Sequence, residues 1–252
     1  KGFLISVFTN GYCLGNEAVK YFKEMPPFVV EIPLCAMSES VYARVTGVRG
    51  SFKKAMEAIL RVVKEGIPLK VKTLVTQDNL QELPKIKEFA NKIKVAYYFS
   101  AMLQPRLNGD IFPCGLRVPV DEALYLYDTF MTGNACARKS AQEEAASLFT
   151  CTIESADGIT VDPYGYVSLC ELIREPNISL LDSDVAGVIK KLLPSFQGRG
   201  FVTASKCVRC PRAHYCFRCP GQAYMEKKDL EAPIEYYCAL AEHSDNHNGH
   251  SG

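Results

Sequence analysis

The sequence predicts an α/β fold in which about four parallel strands with helices, as a section of a barrel or of a doubly wound sheet, precede a small cysteine-rich α+β domain. Three observations support this prediction. In the first half, short apolar runs alternate with stretches of helical periodicity, which is typical of βαβ units. From about residue 105 the alternation stops and a hairpin pattern follows. Seven of the eleven cysteines lie after residue 150.

Four short apolar runs are predicted to be strands, at residues 3–9, 28–34, 69–75 and 94–101. Residues 51–66 have apolar positions at helical spacing, with Ser51 as the expected N-cap, and residues 79–93 form another predicted helix. Because strands that alternate with such helices join by right-handed crossovers, the four strands are expected to be parallel. Tyr97 and Tyr98 of the fourth strand are interpreted as core residues.

The second half is predicted to contain helices and one clear hairpin. Two alternating apolar stretches within 158–170 flank Asp162-Pro163-Tyr164-Gly165, where proline and glycine favour a turn. We place a domain boundary near residue 130, which gives domains at 1–130 and 131–242 and a flexible polar tail at 243–252.

Composition and charge argue against several classes of function. The formal net charge is +1 and no long basic run occurs, so neither nucleic acid nor an anionic membrane is an expected partner. No apolar stretch reaches the roughly 18 residues of a membrane span, and the opening segment does not fit a signal peptide. Tight CxxC pairs in a chain of 252 residues favour reduced, metal-binding thiols in a cytoplasmic protein.

Seven cysteines form the pattern that carries the chemistry. In chain order they are Cys151, Cys170, Cys207, Cys210, Cys216, Cys219 and Cys238. A CxxC pair brings two thiolates to one metal centre from a single turn of chain. From the spacing alone, iron–sulfur clusters, structural zinc and disulfides all stay open, although seven ligands would fit two cubane clusters with one iron lacking a cysteine.

The pattern Cx13Gx4C, then Cx2Cx5Cx2CPG, then a last Cys resembles the SPASM domain that follows the catalytic barrel in many radical S-adenosylmethionine (SAM) enzymes. One departure is the spacing of two residues between Cys216 and Cys219, where the family more often has three. The first half is similar to the barrel of the same superfamily, which implies a partial (β/α) radical-SAM-type barrel of about four parallel strands with helices. The segment FLISVFTNG resembles its third strand, LKVKTLVTQDNLQEL its fifth, and Val29 to Ile59 the fourth strand with its helix.

The barrel of this family opens with a Cx3Cx2C loop that binds the catalytic cluster and SAM, and the sequence contains no such triplet. The resemblance therefore implies SAM and a third [4Fe–4S] cluster only together with a missing N-terminal portion. The chain is expected to be either a fragment of a longer gene product or a shortened protein that has lost the radical step.

The resemblance also implies two auxiliary [4Fe–4S] clusters. The expected ligands are Cys151, Cys170 and Cys219 for the first cluster, and Cys207, Cys210, Cys216 and Cys238 for the second. The first cluster lacks a fourth cysteine, for which Cys114 and Cys136 are candidates. Otherwise Cys13, Cys35, Cys114 and Cys136 are expected to be small buried hydrophobic residues.

Four further residues are candidate site residues by resemblance. Glu171 directly follows Cys170, where related enzymes can place a catalytic base, and the alternative is a solvated surface residue. Asn10, Thr46 and Asn79 are expected to line a nucleoside pocket, with turn and cap roles as the alternative. The serine of the family's fourth strand is replaced by Pro33, so one contact to the cofactor is expected to be lost.

Two functions of different classes follow from these observations. The first is a peptide- or protein-modifying radical enzyme, in which a 5′-deoxyadenosyl radical abstracts hydrogen and a flavodoxin or ferredoxin donates electrons. The second is a non-catalytic cluster- or zinc-binding scaffold or electron-transfer remnant, which the absence of a Cx3Cx2C loop favours.

Overall fold

A computed structural model of the chain describes residues 2–130, 147–149, 151, 153 and 156–248. The chain divides into two compact units. The first unit comprises Lys1–Leu103 and Cys114–Pro119, and the second comprises Gln104–Pro113 and Val120–Gly252. The boundary near residue 130 stays a prediction, and Cys136 lies outside the described residues.

The first unit is built on a four-stranded parallel sheet with the strand order β1-β2-β3-β4. The strands are β1 (Ser6–Phe8), β2 (Val29–Pro33), β3 (Leu69–Leu74) and β4 (Ala96–Ser100). The helices between them are α1 (Asn16–Glu24), α2 (Glu39–Thr46), α3 (Ser51–Lys64) and α4 (Leu83–Lys92). The predicted α/β class with four parallel strands is confirmed.

One face of this sheet carries the apolar core. Ile32 of β2 and Val71 of β3 are fully buried together with Ile59 of α3. Since successive side chains of a strand point to opposite faces, only every second residue reaches this core. Tyr97 packs against it, whereas Tyr98 is 47% exposed, so the prediction that both tyrosines are core residues is wrong for Tyr98.

Two local predictions in the first unit need correction. Gly50, in a left-handed conformation with φ 76°, is the N-cap of α3, and the predicted cap Ser51 is the first helical residue instead. The Ser51 hydroxyl donates to the Val48 carbonyl at 2.6 Å, which closes the turn before the helix. Cys13 is exposed rather than buried because it lies in the turn before α1, while Cys35 packs against the core as expected.

The second unit contains three short antiparallel strands and four helices in its described part. The strands are β5 (Thr160–Val161), β6 (Tyr166–Ser168) and β7 (Ile178–Ser179), and the helices are α5 (Val120–Phe130), α6 (Val185–Leu192), α7 (Pro220–Lys227) and α8 (Glu235–Asn248). The predicted hairpin is confirmed as β5 and β6. In its turn the Asp162 carboxylate accepts from the backbone of Tyr164 and Tyr166, and Gly165 has φ 86°.

Helix α8 extends into the segment that was predicted to be a flexible tail. Tyr237, Leu240 and Ala241 are buried on one side of this helix, which gives it an apolar face at helical spacing. The Ser244 hydroxyl donates to the Leu240 carbonyl at 3.0 Å. Residues 243–248 are therefore helical, and residues 249–252 lie outside the described part.

No helix in the described ranges is both long enough and apolar enough to cross a bilayer.

Candidate metal centre

Four cysteines of the second unit line one cavity of about 620 Å³. They are Cys207, Cys210, Cys216 and Cys238, and we call the space between them the four-cysteine cavity. Its wall also includes the apolar side chains of Leu148, Phe201 and Ile234. Basic side chains complete the wall, namely Lys206, Arg209, Arg212 and Arg218. The wall of the cavity thus contains thiols together with apolar and positively charged side chains.

Short turns bring these thiols together. The amide of Ala213 donates to the Cys210 carbonyl, and the amide of Cys216 donates to the Ala213 carbonyl, both at 3.1 Å. A 3-10 turn at Ala213–Tyr215 therefore joins Cys210 to Cys216 over five residues. Cys238 comes from the first turn of α8, where its amide donates to the Ile234 carbonyl at 3.0 Å.

A buried carboxylate positions the chain that leads into Cys207. The Glu231 carboxylate accepts from the amides of Val202 and Thr203, at 2.8 and 2.7 Å, and from the Thr203 hydroxyl. The Ser205 hydroxyl donates to the Glu231 carbonyl at 2.7 Å and accepts from the Cys207 amide at 3.3 Å. Hydrogen bonds from Thr203 and Val202 outweigh burial and lower the pKa of Glu231.

Nothing in the sequence indicated the role of Glu231, because its carboxylate accepts hydrogen bonds mainly from backbone groups that lie 28 to 29 residues earlier in the chain. A single glutamate in a loop has no periodicity or spacing that would reveal such a contact. The nearest available signal was its position in the short turn before α8, the helix that supplies Cys238.

The basic residues around the cavity differ in how they are bonded. Arg218 donates to the carbonyls of Leu230 and Ala232, and Arg212 forms ion pairs with Glu242 and Asp245. The guanidinium groups of both arginines are therefore bonded to backbone carbonyls or carboxylates near the cysteines. Lys206 is exposed. Burial raises the pKa of Cys238, and the charge of Lys206 opposes that rise.

The other three predicted ligands, Cys151, Cys170 and Cys219, lie near one another. Burial raises the pKa of Cys219, the backbone N–H groups of Gln222 and Gly221 oppose this, and the charges of Cys170 and Cys151 raise it further. The amide of Leu172 donates to the Cys170 sulfur at 3.4 Å. Backbone N–H groups that point at sulfur stabilise a thiolate, so this set has donors suited to metal binding.

Gly221 permits the close approach that this second set requires. A Cβ atom at Gly221 would lie 2.9 Å from the Cβ of Leu172, a separation too short for a side chain. The first turn of α7 can therefore pack directly against the segment that follows Cys170. Since Cys219 is the N-cap residue of α7, this packing brings its thiol next to that segment.

In the part of the chain that the structure describes, no three His, Cys, Asp or Glu side chains converge closely enough to hold a single metal ion. Zinc–sulfur bonds of about 2.3 Å require such close convergence.

The remaining predicted site residues have local contacts. Asn10 is exposed and its side chain accepts from the Tyr12 amide at 3.0 Å, in the turn after β1. Thr46 ends α2, and its hydroxyl donates to the Tyr42 carbonyl at 2.8 Å and lies 3.1 Å from the Ser51 hydroxyl. Both positions are at the carboxyl-terminal side of their elements. Their role in a nucleoside pocket stays a prediction.

Asn79 is fully buried in the loop between β3 and α4. Its side-chain oxygen accepts from the Thr76 amide at 2.8 Å, and its side-chain nitrogen donates to the Leu74 carbonyl at 3.0 Å. These hydrogen bonds stabilise the loop that follows β3. The side chain makes no capping hydrogen bond to the helical turn that begins at Leu80. Glu171 in the second unit is exposed, and its role as a base stays a prediction.

Comparison with known proteins shows a relationship of fold. No family model matches the chain, and no curated protein matches its sequence. SuiB of Streptococcus suis bound to S-adenosylmethionine has a TM-score of 0.64 and 12% identity, over 92% of this chain and 58% of SuiB. The structure of anSMEcpe with bound AdoMet has a TM-score of 0.59 and 14% identity, over 97% of this chain and 69% of that protein.

SuiB has also been solved with its precursor peptide SuiA, and that structure has a TM-score of 0.58 and 15% identity, over 90% of this chain and 57% of SuiB. At these identities the likeness shows the fold alone, and it agrees with the predicted α/β class built on four parallel strands. The chain spans 58% of the length of SuiB in the SAM-bound structure.

Proposed function

We propose that this chain forms part of a radical SAM enzyme that modifies a peptide or protein and carries two auxiliary [4Fe–4S] clusters in a SPASM domain. The observation that carries the proposal is the four-cysteine cavity. Its four thiols come from separate turns and a helix, and they are the set that the resemblance to the SPASM domain assigns to the second cluster. Fold likeness to proteins solved with SAM and with peptides supports the same proposal.

The chemistry of the donors fits such clusters. Cysteine thiolates are the usual ligands of [4Fe–4S] clusters, whose potentials depend on nearby charge, hydrogen bonds to sulfur and solvent exposure. Cys207, Cys210, Cys216 and Cys238 would hold one cluster, and Cys151, Cys170 and Cys219 the other. When bound, such clusters supply electron transfer or a place for substrate to bind. Lys206 and the N–H groups of Gly221 and Gln222 would then act on the two thiolate sets.

The reaction proposed for the whole protein is hydrogen abstraction from a peptide or protein by a 5′-deoxyadenosyl radical. In this proposal Asn10, Thr46 and Asn79 line the nucleoside pocket and Glu171 acts as a base. We also propose that the protein acts in the cytoplasm and receives electrons from a donor such as a flavodoxin or ferredoxin. A third cluster and SAM would require a Cx3Cx2C loop, which is not among these 252 residues.

The deciding experiment is a metal count on the reconstituted chain. Anaerobic expression and reconstitution with iron and sulfide should yield about eight irons and as many sulfides per polypeptide, since each cubane holds four of each. The control variant Cys13→Ser, which removes an exposed thiol of the first unit, should retain the full count. One or two zinc ions with little sulfide would overturn the proposal in favour of a structural zinc module.

A further inference from the structure

Four basic side chains contribute to the wall of the four-cysteine cavity, and their charges differ in how far they are screened or offset. Lys206 and Arg209 are exposed, so water and salt screen their charges. Arg212 forms ion pairs with two carboxylates of α8. Arg218 is half-buried, and in the described part of the chain it forms no ion pair. Its charge is therefore neither fully exposed to solvent nor offset by a carboxylate.

Neutral groups hold the Arg218 guanidinium in place. It donates to the carbonyls of Leu230 and Ala232, and the distance from Arg218 Nε to the Ala232 oxygen is 3.3 Å. Its Cζ atom lies over the Phe201 ring, 5.2 Å from the ring centroid, a distance suited to a cation–π contact. Carbonyls and an aromatic ring orient a guanidinium group but carry no net charge. Since arginine stays protonated in proteins, the full positive charge remains in the wall of the cavity.

The carboxylate that lies between the two accepting residues is bonded elsewhere. Glu231 stands in the chain between the residues whose carbonyls accept from Arg218, and it is buried. Its carboxylate accepts from the amides of Val202 and Thr203, at 2.8 and 2.7 Å, and forms no ion pair with Arg218. Because these amides already satisfy the carboxylate, it does not act as a partner for the guanidinium.

We propose that Arg218, through its uncompensated charge, raises the reduction potential of the [4Fe–4S] cluster in the four-cysteine cavity. Reduction transfers one electron to such a cluster, moves no proton and breaks no bond, so the cluster gains one negative charge. A fixed cation close by stabilises this reduced form more than the oxidised form. The inference rests on the proposed function and deepens it, because it assigns to one side chain the control of electron transfer at this cluster.

The test is a redox titration of the reconstituted chain, with dithionite as the source of electrons and electron paramagnetic resonance as the measure of reduced cluster. A Cys170→Ser background removes the other proposed cluster, so the signal comes from the four-cysteine cavity. In Arg218→Gln, the ratio of reduced to oxidised cluster at a fixed potential should fall about tenfold, which is about 59 mV for a one-electron couple. This is the size expected when a single charge is removed from a half-buried site.

Three further variants separate the charge of Arg218 from its contacts. Arg218→Lys keeps the charge and should keep the ratio within about twofold of the parent value. Arg218→Met is neutral but can still pack on Phe201, and it should show the same fall as Arg218→Gln. Arg209→Gln removes an exposed cation from the same wall and should change the ratio by less than about twofold, because solvent and salt screen that charge. Iron and sulfide are counted in each variant, so that a lost cluster is not mistaken for a lower potential.

A ratio equal to that of the parent in both neutral variants, with the iron content retained, would overturn this inference and leave the proposed function standing. Equal shifts in Arg218→Lys and Arg218→Gln, or loss of iron from both, would also overturn it, since Arg218 would then act through its contacts and not its charge. Zinc with little sulfide in the parent chain would overturn the proposed function and this inference together, because there would be no cluster to reduce.

Discussion

The two units are stabilised in different ways. The first buries a continuous apolar core between paired strands and helices, with Ile32, Ile59 and Val71 fully excluded from water. The strands of the second unit are only two or three residues long, and its cysteine segments are loops joined by side-chain to backbone bonds. In its described part, an apolar cluster packs around Phe149 and Phe196. We therefore expect ligand binding to matter far more for folding in the second unit than in the first.

The largest expected effect comes from replacing single thiols in the second unit. Cys216→Ser and Cys219→Ser lie only three positions apart but remove ligands of different proposed clusters. Each variant should lower the iron content from about eight to about four, and the double variant should hold almost none. Iron and sulfide analysis of purified, reconstituted protein measures this directly.

The same variants test the contrast between the units. Hydrogen exchange should speed up around α7 and α8 in both variants, while amides of β2 and β3 keep their protection. If one variant lost all the iron, the two thiol sets would form one cooperative site. If exchange rose equally in both units, the proposed independence of the first unit would be wrong.

The next effect concerns the core of the first unit and uses two neighbouring residues of α3. Ile59 is fully buried and Leu60 is 48% exposed. Ile59→Ala should lower the free energy of unfolding by about 3 kcal/mol, because it removes buried methyl groups and leaves a cavity. Leu60→Ala should change it by less than about 0.5 kcal/mol.

Urea unfolding followed by the circular dichroism of the helices provides these values, and the iron content serves as the control. It should be the same in both alanine variants and the parent chain. Iron loss in Ile59→Ala alone would mean that the core of the first unit also supports the cysteine sites, which would remove the distinction between the units.

The contrast between the units also explains what the sequence could predict. In β3, the pattern Leu69, Val71, Thr73 alternates with lysines, and those three residues are the buried ones. Such periodicity depends only on neighbours along the chain, so the four strands and the helices at 51–66 and 79–93 could be inferred. The alternation of these strands and helices then indicated that the strands are parallel. The grouping of four cysteines around one cavity followed from a resemblance of spacing, not from periodicity.

Contacts that depend on the three-dimensional approach of distant segments could not be inferred. The ion pairs of Glu31 with Lys70 and Lys72 require the register between β2 and β3, which no single segment encodes. Residues 243–248 were predicted to belong to a flexible tail because their polar composition gave no sign that the earlier turns of α8 bury Tyr237 and Leu240. A helix that is fixed by packing at its start can continue through polar residues.

The smallest expected effect is a pH dependence of the second unit that arises from Glu231. The pKa of this carboxyl is lowered from 4.5 by hydrogen bonds from Thr203 and Val202. A lowered pKa in the folded state means that the ionised form stabilises the fold at pH values above the unfolded pKa. This stabilisation should disappear as the pH falls from about 4.5 through the folded-state pKa.

Glu231→Gln removes this titration, so the second unit of the variant should be less stable at pH 7 and should lose less stability on acidification than the parent. Glu171→Gln, which neutralises an exposed carboxylate in the same unit, serves as the matched control and should follow the parent. Urea midpoints measured at intervals from pH 7 to pH 3 on metal-free protein avoid the acid lability of any bound cluster, provided that circular dichroism first shows the second unit to be folded without metal. Parallel curves for the parent and Glu231→Gln would mean that the loop before Cys207 is held by its other contacts. The second unit would then depend less on this buried carboxylate than its hydrogen bonds indicate.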